Sequence, residues 1–138
     1  MILGLDVGER RIGVAVSDPS GTFLFPVTTI ERTTLEADLV AIVELAEERM
    51  ATTIVVGDPI SLNGTRGPQA ALTDAFCAEL ARVFKGTLDR EDERLTTASA
   101  ASDLAEAQVP KKKRKGIIDQ LAALHMLESY VARRRSKS

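Results

Sequence analysis

Four acidic residues stand where a carboxylate could do more than solvate a surface. Asp6 interrupts the apolar run Leu3-Gly4-Leu5-Asp6-Val7, and an ionised carboxylate inside such a strand is expensive to bury unless something compensates it. Two readings stand for it: an acid bonded to turn backbone N–H groups near a strand end, or a metal ligand held on a rigid strand. Glu93 lies in the tripeptide Asp92-Glu93-Arg94, which taken alone reads as solvated loop surface. Asp119 follows Gly116 by three residues, in the expected first turn of the last helix, where an acid meets the positive end of the helix dipole without any further role. Asp58 closes a second apolar run and can simply hold a turn.

The chemistry open to these acids is narrowed by what accompanies them. With one His and one Cys in 138 residues, no zinc site of the usual imidazole and thiolate kind can be assembled. Cys77, among Ala75, Phe76 and Leu80, and His125, beside Leu124, read as packing residues rather than as a nucleophile and its base. Carboxylates on their own select hard cations, Mg²⁺ or Mn²⁺. Two such ions can activate a water and stabilise both the attacking and the leaving oxygen of an in-line phosphoryl displacement.

A phosphate-bearing partner is also what the charge distribution asks for. The net charge of −2 is uninformative, but up to Val109 there are 9 Lys/Arg against 18 Asp/Glu, and from Pro110 onward 9 against 2. Two basic runs carry the excess, Lys111-Lys112-Lys113-Arg114-Lys115 and Arg133-Arg134-Arg135-Ser136-Lys137. Such asymmetry points to an anionic partner at the C-terminal part. For the second run, from about residue 133, a short solvated tail is an equal reading. The first run is expected between two helices, where a solubility tail does not explain it.

The elements that must position these groups follow from periodicity. Ile2 to Val7 and Ile12 to Ser17 read as a β-hairpin about Gly8-Glu9-Arg10-Arg11, with Gly8 free to take a positive φ. A turn at Asp18-Pro19-Ser20-Gly21 leads to a third strand, Thr22 to Ile30, in which Pro26 signals an edge or a bulge. Thr33 and Glu36 have capping-box spacing, and Leu35, Leu39, Ile42/Val43, Ala46 and Met50 recur as one helical stripe over 34–50. Thr53 to Val56 suits a buried parallel strand. A loop through Asn63-Gly64-Thr65-Arg66-Gly67-Pro68 opens a helix reaching Phe84.

Gly86 to Glu91 is the weakest strand, diluted by Asp89 and Glu91. Thr96 or Thr97 can cap a helix over 98–108, and Ile117, Ile118, Leu121, Leu124, Leu127 and Val131 mark the last one. The order β-β-β-α-β-α-β-α-α predicts an α/β fold, an antiparallel meander feeding a parallel, helix-covered half.

The length suits one domain over 1–138, and the 44% hydrophobic and 28% charged fractions are those of a soluble globular protein. No apolar run reaches the roughly 18 residues of a membrane span. The opening Met-Ile-Leu-Gly-Leu-Asp lacks the basic n-region of a signal peptide. The single Cys77 fits a reducing compartment. A cytoplasmic protein with no membrane partner is expected.

Taken together, the motifs resemble the YqgF/RuvX family of ribonuclease H-like nucleases. Four blocks carry the resemblance, in family order and over nearly the whole chain. They are Leu3-Gly4-Leu5-Asp6-Val7-Gly8 running into Arg11-Ile12-Gly13-Val14-Ala15-Val16-Ser17-Asp18; Val55-Val56-Gly57-Asp58-Pro59 with Gly64 and Gly67-Pro68-Gln69; Asp92-Glu93-Arg94-Leu95-Thr96-Thr97; and Lys115-Gly116-Ile117-Ile118-Asp119 followed by Ala122-Ala123. Actin-like ATPases and sugar kinases open much like the first block, whereas the last two are specific.

The resemblance implies a five-stranded mixed sheet flanked by helices, with a β1-β2-β3 meander and β1, β4 and β5 parallel. It implies that Asp6, Glu93 and Asp119 meet at one site, hold Mg²⁺ or Mn²⁺, and hydrolyse phosphodiesters through metal-activated water. Asp58 departs from the family pattern, which usually has an apolar residue there. Lys111, Lys112, Lys113, Arg114 and Lys115, with Arg10 and Arg11 in the hairpin, are candidate phosphate contacts. For each, a purely surface role is the alternative.

Little aromatic surface is present for stacking bases, with four Phe, one Tyr and no Trp. Binding is therefore expected to be electrostatic and salt-sensitive. Processing of the 5′ end of precursor 16S ribosomal RNA is the first functional expectation, and resolution of Holliday junctions the second. A non-catalytic nucleic-acid-binding module is more distant. The protein is expected as a monomer or a homodimer, and two-site junction cleavage favours the dimer.

Overall fold

The structure is a computed structural model that describes residues 1–58, 68–92 and 111–137. The loop expected over 63–67, the helix expected over 98–108 with its Thr96 or Thr97 cap, and Glu93 lie outside the described residues.

Three strands open the chain: β1 (Ile2–Val7), β2 (Arg11–Ser17) and β3 (Leu24–Glu31). The helix α1 (Leu35–Glu48), the strand β4 (Thr53–Asp58), the helix α2 (Pro68–Val83), the strand β5 (Thr87–Asp92) and the long helix α3 (Lys111–Lys137) follow. The strands form one sheet in the order β3-β2-β1-β4-β5. β1 is antiparallel to β2 and parallel to β4, β2 is antiparallel to β3, and β4 is parallel to β5. This is the mixed sheet the sequence predicts. Among the described residues no helix is long and apolar enough to cross a membrane.

Side chains alternate across the sheet with a period of two, and the two faces differ. Leu3, Leu5, Val7, Ile12, Val14, Val16, Ile54 and Val56 pack against Leu39, Ile42 and Ala46 of α1 and Phe76, Cys77 and Leu80 of α2. Ile2, Ala15 and Val55 pack against Ala123, Met126, Leu127, Tyr130 and Val131 of α3. Cys77 and His125 thus belong to helices on opposite sides of the sheet, which closes the Cys-His hydrolase reading. Cys77 is packed as expected; His125 instead is partly exposed, 3.7 Å from Glu128.

Several local expectations are corrected. The hairpin turn closes through Gly8 N–H donating to Arg11 O at 2.9 Å, yet Gly8 has no positive φ. Among described glycines that conformation belongs to Gly21, at φ 74°, in the turn where its N–H donates to Asp18 O. A Cβ on Gly21 would also overlap Val131 of α3. The Asp18 carboxylate accepts from Ser20, Thr22 and Phe23, and these hydrogen bonds, chiefly that of Ser20, hold its pKa below the ordinary value. The cap of α1 is Thr34 rather than Thr33: its hydroxyl accepts from Ala37 N–H at 3.1 Å, while Thr33 N–H donates to Asp38.

The helix α3 begins at Lys111, not after the lysine run, and continues to Lys137. Lysines and arginines are good helix formers, so both basic runs extend the apolar stripe's helix instead of flanking it. What reads as a tail from about residue 133 is in part a fastening. Arg133 donates to Glu91, which is 5% exposed on β5. Tyr130 donates to Asp89 at 2.6 Å, and the Arg134 guanidinium lies 5.3 Å from the Tyr130 ring centre. Burial, with the Asp89 carboxylate second, pushes the Tyr130 phenol pKa up.

The polar pattern of β5 is therefore compensated rather than strandless. Asp89 and Glu91 meet α3, and Arg90 on the other face donates to Asp58 at 2.8 Å and Asp74 at 3.0 Å.

Candidate active site

A transverse row of residues sets up the site. Asp6 on β1 is the register partner of Gly13 on β2, and Gly13 is the partner of Thr29 on β3. Directly opposed residues point to the same face of a sheet. Gly4 and Gly13 would both direct a Cβ at α3, so the face of this row is the one α3 covers. The row presents a carboxylate, a gap and a hydroxyl.

The gap is occupied by Asp119. A Cβ on Gly13 would overlap the Asp119 carbonyl and stand 2.9 Å from the Asp119 Cβ. Glycine inside a strand marks such a close backbone approach. Asp119 and Asp6 therefore emerge as neighbours on one face, at the carboxyl end of β1. Asp119 is the ninth residue of α3, well past the first turn, where the helix dipole no longer favours an acid. The dipole explanation for Asp119 is removed.

Its partners are Arg11 and the sheet. Arg11 Nε donates to Asp119 Oδ2 at 2.8 Å, with both side chains about a quarter exposed. The pair engages one of the two carboxylate oxygens. Thr29 Oγ1 donates to Gly116 O at 2.6 Å and accepts from Gln120 Nε2 at 3.1 Å. The hairpin itself is braced by Arg32, whose N–H donates to Arg10 O at 2.9 Å and whose Nη1 donates to Gly8 O at 2.9 Å. Arg32 Nε also donates to the buried Asp38 at 3.1 Å.

Of the residues singled out in the sequence, the structure brings together Asp6, Asp119 and Arg11, with Arg10 exposed at the adjoining turn. The backbone of Lys111–Lys115 opens the same helix that carries Asp119; the side-chain contacts of that run lie outside the described residues. Asp58 is on the opposite face, 9% exposed and paired with Arg90. It stabilises β4 against β5 and is not part of this cluster.

Glu93, one peptide bond past Asp92 at the end of β5, lies outside the described residues. Among the described residues no three His, Cys, Asp or Glu side chains gather closely enough to hold a metal. The two carboxylates present are nonetheless the hard oxygen donors that Mg²⁺ or Mn²⁺ takes, with no thiolate to favour a softer ion.

Sequence reasoning did not single out Gly13, Thr29 and Gln120 as site residues. For Gly13 a signal existed: the small residues Gly13 and Ala15 alternate with Ile12, Val14 and Val16, marking a face on which a helix backbone can lie close. For Thr29 there was none, because its face depends on a register the sequence does not reveal.

Comparison with known proteins identifies the family and the fold. A family model described as "RuvX: Holliday junction resolvase" matches residues 1–133. A protein of Clostridium perfringens named "Putative pre-16S rRNA nuclease" is 42% identical over 132 residues, 96% of each chain. One of the same name from Moorella thermoacetica is 43% identical over 132 residues, covering 96% of this chain and 94% of that protein. In three dimensions, T. thermophilus RuvC in complex with Holliday junction substrate superposes with a TM-score of 0.57 at 11% identity, covering 97% of this chain and 94% of that one. Fowlpox virus resolvase gives 0.55 at 7% identity, covering 96% and 97%. The fold is that of the ribonuclease H-like resolvases, and by sequence the chain belongs to the RuvX family.

Proposed function

We propose that this protein is a nuclease that hydrolyses phosphodiester bonds of structured RNA, maturing the 5′ end of precursor 16S ribosomal RNA, with Asp6, Glu93 and Asp119 holding Mg²⁺ or Mn²⁺. The observation that carries the reading is the seating of Asp119 in the gap above Gly13, beside Asp6 in the same transverse row. Two acids more than a hundred residues apart are brought to one strand end, where open α/β sheets place their ligands. Relatives at 42–43% identity over nearly the full length support the substrate.

Each group has a definable task. The carboxylates of Asp6 and Asp119, with Glu93 as the third acid, supply oxygen ligands from separate elements, so the site forms only in the folded chain. Bound there, the cations would supply an activated water and charge stabilisation for the phosphoryl displacement. Arg11 keeps the Asp119 carboxylate oriented and is close enough to meet a phosphate. Lys115 lies one turn before Asp119, about 6 Å along the helix axis, so the basic run approaches the scissile region on the same helix. Contacts of that kind position a backbone without reading its sequence.

A second reading is favoured by the family description and by the two junction resolvases that share the fold: cleavage of four-way DNA junctions, for which a dimer offers the two sites. The decisive experiment offers matched precursor rRNA, four-way junction, linear duplex and single strands in Mg²⁺ or Mn²⁺, with the oligomeric state measured alongside. Cut precursor rRNA with intact junction supports the first reading, and the converse result from a dimer supports the second. No cleavage of any substrate with either metal overturns both.

A further inference from the structure

We propose that Thr29 is a positioning residue for the proposed metal centre: its hydroxyl sets the place of Asp119 relative to Asp6 by holding α3 against the edge of the sheet. The inference rests on the reading of Asp6 and Asp119 as metal ligands and adds to it the group that fixes their separation.

Three observations converge on this one hydroxyl. Thr29 Oγ1 is bonded at once to Gly116 O, at 2.6 Å, and to Gln120 Nε2, at 3.1 Å. Those residues are one turn apart and bracket Asp119. Thr29 also lies in register with Gly13, itself in register with Asp6. The row therefore fixes Asp119 from both sides. Asp6 flanks the seat on β1, the missing Cβ of Gly13 sets its depth, and Thr29 closes it on β3.

The third observation is how Thr29 comes to face α3 at all. Phe25 opposes Val16 and Pro26 opposes Ala15, but Val14 is opposed by Thr28, leaving Val27 as an extra residue. Such a bulge re-aims the side chains that follow it. Leu24, beside Ser17, packs on the α3 face, so unbroken alternation would turn Thr28 toward α3 and Thr29 away from it. With Val27 inserted and packed against the α1/α2 core, Ile30 joins that core too, and Thr29 turns to α3. The bulge thus delivers a hydroxyl to the Gly116 carbonyl and the Gln120 amide, a turn apart on α3.

The test compares Thr29→Val, which keeps the shape and removes the hydroxyl, with Thr29→Ser, which keeps the hydroxyl. Mn²⁺ affinity of the full chain without substrate is measured by calorimetry, and the metal half-saturation and maximal rate of cleavage are measured separately. Thr29→Val is expected to weaken Mn²⁺ binding by about tenfold, as changes to groups that orient metal ligands do, and to raise the metal half-saturation by a similar factor. Thr29→Ser should stay within about twofold of the parent, since the ligand-orienting hydrogen bond is retained. Should Thr29→Val fail to fold, Gln120→Met, which deletes the donor to Thr29, carries the same expectation.

Mn²⁺ affinity unchanged in Thr29→Val while Asp119→Asn weakens it overturns the positioning role alone. Mn²⁺ affinity unchanged in Asp119→Asn as well overturns the underlying ligand assignment.

Discussion

The two faces of the sheet are built from the same strands and serve opposite ends. Toward α1 and α2, β1 and β2 present Leu3, Leu5, Val7, Ile12, Val14 and Val16, all buried. Toward α3 they present Gly4, Asp6, Gly13 and Ala15 in two adjacent rows. Large apolar side chains hold helices at a distance and contribute the burial energy of the fold. Small ones let a helix backbone settle onto the sheet, and the depth gained there brings Asp119 beside Asp6. Residues one position apart along β1 thus divide between stability and chemistry. The division predicts that the two properties respond to different substitutions.

The largest separation is expected at the acids. Asp6→Asn and Asp119→Asn should each lower cleavage at least about a hundredfold, because changes merely behind a metal ligand already cost about 10–100-fold. The melting temperature should move little. Equal loss of melting temperature and activity would erase the contrast between the faces.

Leu5→Ala, on the other face and fully buried, should cost about 2–5 kcal/mol of stability. Denaturant melts measure that loss, and the rate per folded molecule should persist. Gly13→Ala is the case that joins the two properties, since the added methyl overlaps Asp119. It should cost about 1–3 kcal/mol, as overpacking does, and also depress cleavage; a loss of stability without loss of rate would show that the depth of α3 is immaterial.

Smaller still, Asp58→Asn removes one charged partner of Arg90 and leaves Asp74 in place. It should lower stability by about 1 kcal/mol, the scale of one hydrogen bond, and leave cleavage unchanged. A fall in cleavage would return Asp58 to the site.

The least effect concerns Cys77, whose burial pushes its thiol pKa up. A raised pKa means less thiolate at a given pH, so alkylation at pH 8 should be slow in the native protein and fast once it is unfolded.

The contrast between faces also explains how far the sequence could be read. Strand alternation and the helical stripe of α1 are local signals, and they place the sheet and both apolar layers to within a residue or two at most ends. The start of α3 is not legible in the sequence because its apolar stripe begins at Ile117, six residues into the helix. Gly116, costing roughly 1 kcal/mol inside a helix, resembles a boundary there. The polarity of β5 reads as weakness until Tyr130, Arg133, Asp58 and Asp74 are seen to meet it from distant parts of the chain.

At the site, Asp6 and Asp119 each have an adequate local explanation, and family resemblance, not spacing, singled them out. Thr29 depended on a one-residue bulge. Pro26 hinted at the bulge, but its consequence for facing emerges only from the pairing of β3 with β2.

The most direct measurement is a crystal structure of the full chain grown with Mn²⁺, with the ion located by its anomalous scattering. An Mn²⁺ ion about 2.1 Å from carboxylate oxygens of both Asp6 and Asp119, the short distance small hard cations adopt, is the expected result, with Glu93 completing the shell. An ion bound elsewhere, with Asp6 and Asp119 left to other partners, would contradict the account.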